Sequence, residues 1–482
     1  MSPNEYLKGK KVLVVVLGIH GGGVATAKWL FAHGAKVSVT DLRTADELAA
    51  SLKKFTPKER SGISFVLGGQ HEKDFQTHDI VVLGPGVPRE SKYLAAAVKA
   101  KRDIQNDASL FFKFTENQVI AVTGTRGKTT TTHWIAELLS KKYGPIVPTG
   151  NNPKNPFLAE LRALEKTKDK KRPVVVEASS WQLEYAARGG KAPHVAVITN
   201  IFPDHLNRYG GSIEAYAKAK AEIFRLQDAN DTLILNADNR FTSFFLKRKP
   251  KARIQYFSMK PLAKNRDGMF ADKGALWWKE GKEVKKICSI KTFAKERGEH
   301  SVANVMAAIL SVRVLEPRLN VTESQLRKLP GVYMRQEVVL ERKGLKVVND
   351  STATSPDGTI AAIKTFAGKS TVFIVGGTNK DLSFDDLAKE VKCSVPPSHL
   401  VLLGGSATDG LVHALSKKKY FGKTAPQRLE TLKECVERAR GIIGTKGTIV
   451  FSPGAASFEK FKNEFDRGEQ FNKLAKEIFA RG

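Results

Sequence analysis

Cysteine is scarce. Cys288, Cys393 and Cys435 are the three in 482 residues, and they are scattered without a metal-like spacing. That argues against a disulfide scaffold or a thiolate metal centre and suits a reducing compartment. Long apolar runs are also missing: the longest, such as 12–17, fall far short of the ~20 residues that span a bilayer. The polar stretch 1–11 has no secretory-leader pattern, so a cytoplasmic protein without membrane insertion is expected. Acidic residues are in deficit, 49 against 79 Lys and Arg, for a formal net charge of +30. The lysines are dispersed (Lys53-Lys54, Lys170-Lys171, Lys285-Lys286), with neither a basic arm nor the aromatic interleaving of a single-strand binder. No nucleic-acid partner is expected; polyanionic small substrates or a lysine-rich proteome account for the charge.

What is present is a hydrophobic fraction of 41% and a length that predicts two to four domains. Residues 119–123 read as a buried strand. Gly124, Thr125, Arg126 and Gly127 form a tight turn, and from Lys128 onward Trp134, Ile135, Leu138 and Leu139 follow helical spacing. Strand, glycine turn, Lys-Thr and helix describe a phosphate-binding loop, in which backbone N–H groups and the helix dipole receive an anion. Lys128 supplies a point charge for the outer phosphates, and Thr129 or Thr130 a hydroxyl for Mg²⁺.

Upstream, a strand over 11–16, a glycine turn over 18–23 and a helix over 24–32 precede a strand ending at Asp41. This is close to a dinucleotide-binding unit, but Val16 stands where the first glycine of the fingerprint belongs. The unit therefore suits NAD or another diphosphate. Downstream, expected strands end at Glu177-Ala-Ser-Ser-Trp-Gln-Leu-Glu184 and at 201–208, which holds Asp204-His205. Alternating strands and helices predict parallel sheets, whose ligands sit at the C-terminal strand ends, where all these polar clusters fall. Helix 212–224 places Lys220 on its apolar face with Ile213, Tyr216, Ala217, Ile223 and Phe224, while Lys218 points away. Lys220 either snorkels from the edge of that stripe or is buried with a lowered pKa, as a nucleophile or a carbamylated amine. Residues 247–295 read as an edge β meander, and a third α/β unit offers strands at 346–349, 371–375, 400–403 and 448–451.

Gly124-Thr-Arg-Gly-Lys-Thr-Thr130, Glu177–Glu184, Asp204-His205, Tyr216-Ala-Lys-Ala-Lys220, Gly298-Glu-His-Ser-Val-Ala-Asn304, Met334-Arg335, Asn349-Asp-Ser351 and Ser452-Pro-Gly-Ala-Ala-Ser457 with Arg467-Gly468 occur in that order. Together they resemble the Mur ligase family, and within it the D-glutamate-adding branch, over nearly the whole length. The resemblance implies three α/β domains: a Rossmann-like UDP-substrate domain over 1–116, a central ATP-binding domain with an edge β meander over 117–330, and a Rossmann-like amino-acid-binding domain over 331–482. It implies ATP-dependent addition of D-glutamate to UDP-N-acetylmuramoyl-L-alanine through an acyl phosphate, in cytoplasmic peptidoglycan synthesis, by a monomer using Mg²⁺. The alternatives are L-glutamate or another acidic amino acid in the same reaction, or a nucleotide-binding protein without catalysis.

Carried over residue by residue, Gly124, Thr125, Arg126, Gly127, Lys128, Thr129, Thr130, Asn304, Arg335 and Asp350 would bind ATP. Lys128, His205 and Lys220 would be catalytic. Thr129, Glu177, His205 and carbamylated Lys220 would hold Mg²⁺. Gly18, His20, Gly21, Asp41, Arg43, Asn151 and Ser179 would contact the UDP substrate, and Thr354, Lys380 and Ser457 the incoming amino acid. The chain departs from the family at Arg126 (usually Asn), Thr352 (usually Lys), Val16 (usually Gly) and in the order Glu464-Phe465.

Overall fold

The computed structural model describes residues 1–422 and 426–479. They form two compact units, one of 1–289 with 303–322 and one of 290–302 with the residues from 323 onward.

Two sheets build the first unit. Strands β1 (Lys11–Val15), β2 (Lys36–Asp41), β3 (Ser64–Leu67), β4 (Ile80–Leu83) and β5 (Asp103–Asn106) make a parallel sheet of order β3-β2-β1-β4-β5. Helix α1 (Gly22–Ala32) follows β1. Val16 carries φ 78°, the left-handed conformation that suits a glycine, so the departure from the fingerprint changed the side chain and not the turn.

The second sheet holds β6 (Val119–Thr123), β7 (Thr149–Gly150), β8 (Val174–Glu177), β9 (Val195–Ile198), β10 (Thr232–Asn236), β11 (Arg253–Ser258), β12 (Gly268–Asp272), β13 (Ala275–Glu280) and β14 (Glu283–Ser289), in the order β14-β13-β12-β11-β10-β9-β6-β8-β7. Only β12 to β14 pair antiparallel. The expected edge meander is therefore shorter than 247–295: β11 continues the parallel sheet against β10, and the antiparallel part begins at β12. Helix α2 (Lys128–Tyr143) follows β6, α3 (Ser180–Ala186) follows β8 and α4 (Ile213–Ala221) precedes β10.

One apolar cluster runs through both sheets of this unit, joining Trp29, Leu30 and Phe111 to Phe157, Leu161 and Val176. The Phe111 and Phe157 rings lie 5.1 Å apart. Burial on this scale, at about 25 cal/mol per Å² of apolar surface, explains why residues 1–116 pack as part of a larger body.

The second unit carries β15 (Glu337–Arg342), β16 (Leu345–Asn349), β17 (Thr371–Val375), β18 (Leu400–Leu403), β19 (Arg428–Leu429) and β20 (Gly447–Phe451), ordered β15-β16-β20-β17-β18-β19. All neighbours are parallel except β15 and β16. Separate apolar clusters cover its two faces, around Phe373 and Leu411 on one and around Ile374 and Phe471 on the other.

Candidate functional site

Strand β6 lies between β8 and β9, with Val122 beside Glu177 and Thr123 beside Ile198. The register alone thus gathers three polar strand ends. Gly124 (φ 145°) and Gly127 (φ 81°) turn the chain from β6 into α2. A Cβ on Gly124 would stand 1.9 Å from Thr199 Oγ1 and one on Gly127 2.2 Å from Asn304 Oδ1, so backbone conformation and space both demand glycine. Thr199 Oγ1 donates to the Arg126 carbonyl at 2.6 Å, and the Arg126 N–H donates to Asn200 Oδ1 at 2.9 Å. Lys128 Nζ donates to the carbonyls of Gly124 and Thr125, each at 3.1 Å. Buried Asn304 backs the loop, whereas Thr129 and Thr130 are half-buried on the first turn of α2.

Lys220 is buried, with 1% of its surface exposed. Its Nζ donates to Thr123 Oγ1 at 3.3 Å and stands 4.7 Å from the Tyr216 ring centroid. Burial first, then the cations of Lys128 and Arg126, push its pKa well below the usual lysine value, against the opposing pull of Asp204 and Glu177. The snorkelling reading of this lysine is excluded. Glu177 is also buried and accepts Asn151 Nδ2 at 3.0 Å. His205 has φ 52°, its N–H donates to Asp204 Oδ1 at 3.0 Å, and its Nε2 lies 3.7 Å from Asp204 Oδ2. The same Oδ2 accepts Arg126 Nη1 at 2.8 Å.

Beside His205 lies a group that sequence reasoning missed. Glu184, its side chain only 1% exposed, accepts Tyr209 Oη at 2.8 Å and Arg89 Nε at 2.8 Å, with Arg208 Nη2 at 3.5 Å. Arg208 also donates to the Val87 carbonyl and lies 4.7 Å over the Trp181 ring, which meets His205 edge to face at 5.5 Å. Segment 87–89, beyond the first sheet, is thereby joined to the His205 turn. Arginines flanking a glutamate segment were the available signal, but the pairing crosses 95 residues between Arg89 and Glu184.

At the first sheet, Gly21 (φ 90°) caps α1 as Gly127 caps α2. Asp41 is buried, accepting the N–H of Gly18 at 3.0 Å and of Arg43 at 3.0 Å, so its carboxylate shapes the turn. His20 and Arg43 are exposed there. Ser179 caps α3, donating to and accepting from Gln182.

In the second unit Asp350 sits between β16 and β20, accepting Ser452 Oγ at 2.7 Å and the Gln336 N–H at 3.1 Å. Burial pushes its pKa up to about 7, overcoming those hydrogen bonds and the guanidiniums of Arg335 and Arg467. Thr352 holds the turn before Arg335, donating from Oγ1 to the Met334 carbonyl at 2.7 Å. Lys380 Nζ donates to Thr354 Oγ1 at 3.5 Å, which brings two of the expected amino-acid contacts together. Ser457 Oγ is buried without a hydrogen-bond partner, a polar atom suited to a ligand. Fully buried Arg467, missed as an individual residue, clamps the Ser351 carbonyl at 2.7 Å to those of Ala455 and Ala456.

The chain is similar to known proteins over nearly its whole length. The family description "Mur ligase middle domain" matches residues 122–312, and "Mur ligase MurD-like, N-terminal domain" matches residues 10–105. The UDP-N-acetylmuramoylalanine–D-glutamate ligase of Roseiflexus sp. (strain RS-1) is 36% identical over 474 residues, 97% of this chain and 98% of the relative. The ligase of that name from Borreliella burgdorferi (strain ATCC 35210) is 32% identical over 98% of this chain and 99% of its own. Among solved structures, MurF ligase of Thermotoga maritima in complex with ADP aligns with a TM-score of 0.56 at 17% identity, covering 99% of this chain and 97% of that one, a likeness of fold.

Proposed function

The chain belongs to the Mur ligase family, and we propose for it the reaction of its full-length relatives, the ATP-dependent addition of D-glutamate to UDP-N-acetylmuramoyl-L-alanine with release of ADP and phosphate. The observation that carries this reading beyond family membership is the meeting of the phosphate loop, Glu177, Asp204-His205 and the buried Lys220 amine at adjacent strand ends.

The loop from Gly124 to Thr130 receives the triphosphate of ATP, with Lys128 leaving its loop carbonyls for the outer phosphates; Asn304, Arg335 and Asp350 are assigned to the same nucleotide. Lys220, as an amine, is a poor partner for Mg²⁺. Its burial favours the neutral form, whose lone pair adds to the carbon of CO₂ with loss of a proton, giving a carbamate. That anionic oxygen donor suits a hard cation. Thr129, Glu177, His205 and carbamylated Lys220 then form a fitting donor set for Mg²⁺, which when bound neutralises the repulsion between a carboxylate and a triphosphate.

Residues 1–116 take the UDP end: Gly18, His20, Gly21 and Arg43 face the diphosphate and uracil, held by the Asp41 carboxylate. Asn151 and Ser179 border the muramoyl part. Residues 331–482 take the amino acid, with Lys380 opposite its side-chain carboxylate and Thr354 and Ser457 as hydroxyl partners. The three sheets correspond to three domains with boundaries near 116 and 330. The expected setting is the cytoplasm and the expected state a monomer.

The test is ADP formation with UDP-N-acetylmuramoyl-L-alanine against a panel of D- and L-amino acids. Activity with D-glutamate that disappears when either acceptor or amino acid is omitted is the expected result. Equal activity with L-glutamate would remove the stereochemical assignment, and acceptor-independent ATP hydrolysis would remove the ligase reading.

A further inference from the structure

We propose that the Arg126 guanidinium contacts the phosphoryl group that ATP transfers, with Asp204 as the anchor that aims it. This rests on the ligase reading above. Residue 126 stands inside the phosphate loop, between Gly124 and Gly127, and its backbone is fixed at three points: the N–H to Asn200 Oδ1 and the carbonyl to Thr199 Oγ1 and Asn200 Nδ2. These three bonds use the backbone alone; the side chain adds a longer one, from Nη1 to the Thr125 carbonyl at 3.4 Å. In the His205 turn the His205 N–H is bonded to Asp204 Oδ1, which leaves Oδ2 of this buried carboxylate to the guanidinium.

What the arginine adds is a charge in a chosen place. Its side chain, a quarter exposed, crosses from the loop to Asp204 Oδ2 at 2.8 Å, and Asp204 precedes His205. The guanidinium therefore spans from the loop that holds the phosphoryl donor to the turn that carries His205, assigned above to Mg²⁺. In the transfer, a carboxylate oxygen of the acceptor bonds to the γ-phosphorus while the bond from that phosphorus to the β,γ-bridging oxygen breaks. ADP leaves with the electron pair, and charge spreads over the γ-phosphoryl oxygens between donor and acceptor. A planar guanidinium matches those oxygens better than a point charge does.

The experiment compares nucleotide affinities of the full chain without acceptor, so its result stands even if the ligase reading fails. In Arg126→Asn, affinity for β,γ-imido-ATP with Mg²⁺ is expected to fall by about tenfold or more, while that for ADP changes by less than about twofold. In the complete assay kcat is expected to fall by about 100-fold with the KM for the amino acid unchanged. Arg126→Lys, which keeps a charge and covers the case in which the first variant does not fold, is expected to recover part of both losses. Equal weakening of the two nucleotides, or no change in either, would overturn the proposal and leave Arg126 a structural partner of Asp204. Should wild type bind the imido analogue and form no ADP with both substrates, the ligase reading fails by itself.

Discussion

At the scale of single residues, the chemistry of this chain is set by charges withdrawn from water. Lys220 is the clearest case, because burial pushes its pKa well below the usual lysine value and so favours the neutral amine, the form that adds to CO₂. Lys220→Arg, which cannot be carbamylated, should lower turnover by about 100-fold or more while UDP-substrate binding stays nearly unchanged. Isotope-labelled bicarbonate should give a carbamate NMR signal in the wild type that the variant lacks; near-normal turnover in the variant would remove Lys220 from the reaction. Asp350 gives a second test, read from stability. Its pKa rises from 3.8 in the ordinary state to about 7 in the fold, so between these values the folded chain holds a proton that the unfolded chain has released. Unfolding free energy must therefore fall as pH rises through about 4 to 7. Buried Asp107, raised to about 6, has the same sign, so the readout is a difference: Asp350→Asn should flatten the decline of the denaturant midpoint, and an identical slope would show that Asp350 is ionised throughout. Motif spacing singled out Lys128 and Lys220 in the sequence, and the family resemblance added Glu177 and His205; the fold gathers the four near adjacent strand ends. Neither spacing nor resemblance revealed that Asp41 and Ser179 spend their oxygens on a turn and a cap, because an acceptor's partner is a matter of geometry.

At the scale of elements, the strong signals were the fully apolar central strands and the glycine turns after them. Strands such as 119–123 are buried on both faces, and a continuous β-branched run has few other uses. Strands β5 and β15 escaped notice for the opposite reason. Asp-Ile-Gln-Asn and Glu-Val-Val-Leu-Glu-Arg carry polar residues that edge positions tolerate, and only their neighbours make them strands. The Glu184 cluster was illegible in the same way, being a contact between one helix and two distant loops. It predicts a measurable coupling. Removing the Glu184 carboxylate leaves Tyr209 Oη without its acceptor and Arg208 mostly buried without a counter-charge. Glu184→Ala should cost about 3 kcal/mol of stability and raise the KM for the UDP substrate more than that for ATP. An equal rise in both would show that the cluster supports the fold and not the approach of segment 87–89 to His205.

At the scale of the whole molecule, the two-unit division differs from three sequence-read domains because residues 1–116 share one apolar cluster with the central sheet. Periodicity identifies the faces of helices but not which sheet covers them, and that pairing lay beyond the sequence. The net charge of +30 is legible from composition alone, and the assigned reactants give it a use. A nucleoside triphosphate and a UDP-linked carboxylate are both polyanions, so a cationic surface raises the frequency of productive encounters without touching the chemical step. Raising ionic strength from about 0.05 M to about 0.5 M shortens the screening length from above 10 Å to a few ångströms. Over that range kcat/KM for the UDP substrate should fall by about tenfold while kcat changes by less than about twofold. The comparison belongs with the neutral-salt series run at saturating ATP, so that only the second polyanion is limiting. A parallel fall in kcat would place the salt effect on the folded site itself, and a flat kcat/KM would mean that the dispersed lysines do not steer the substrate at all.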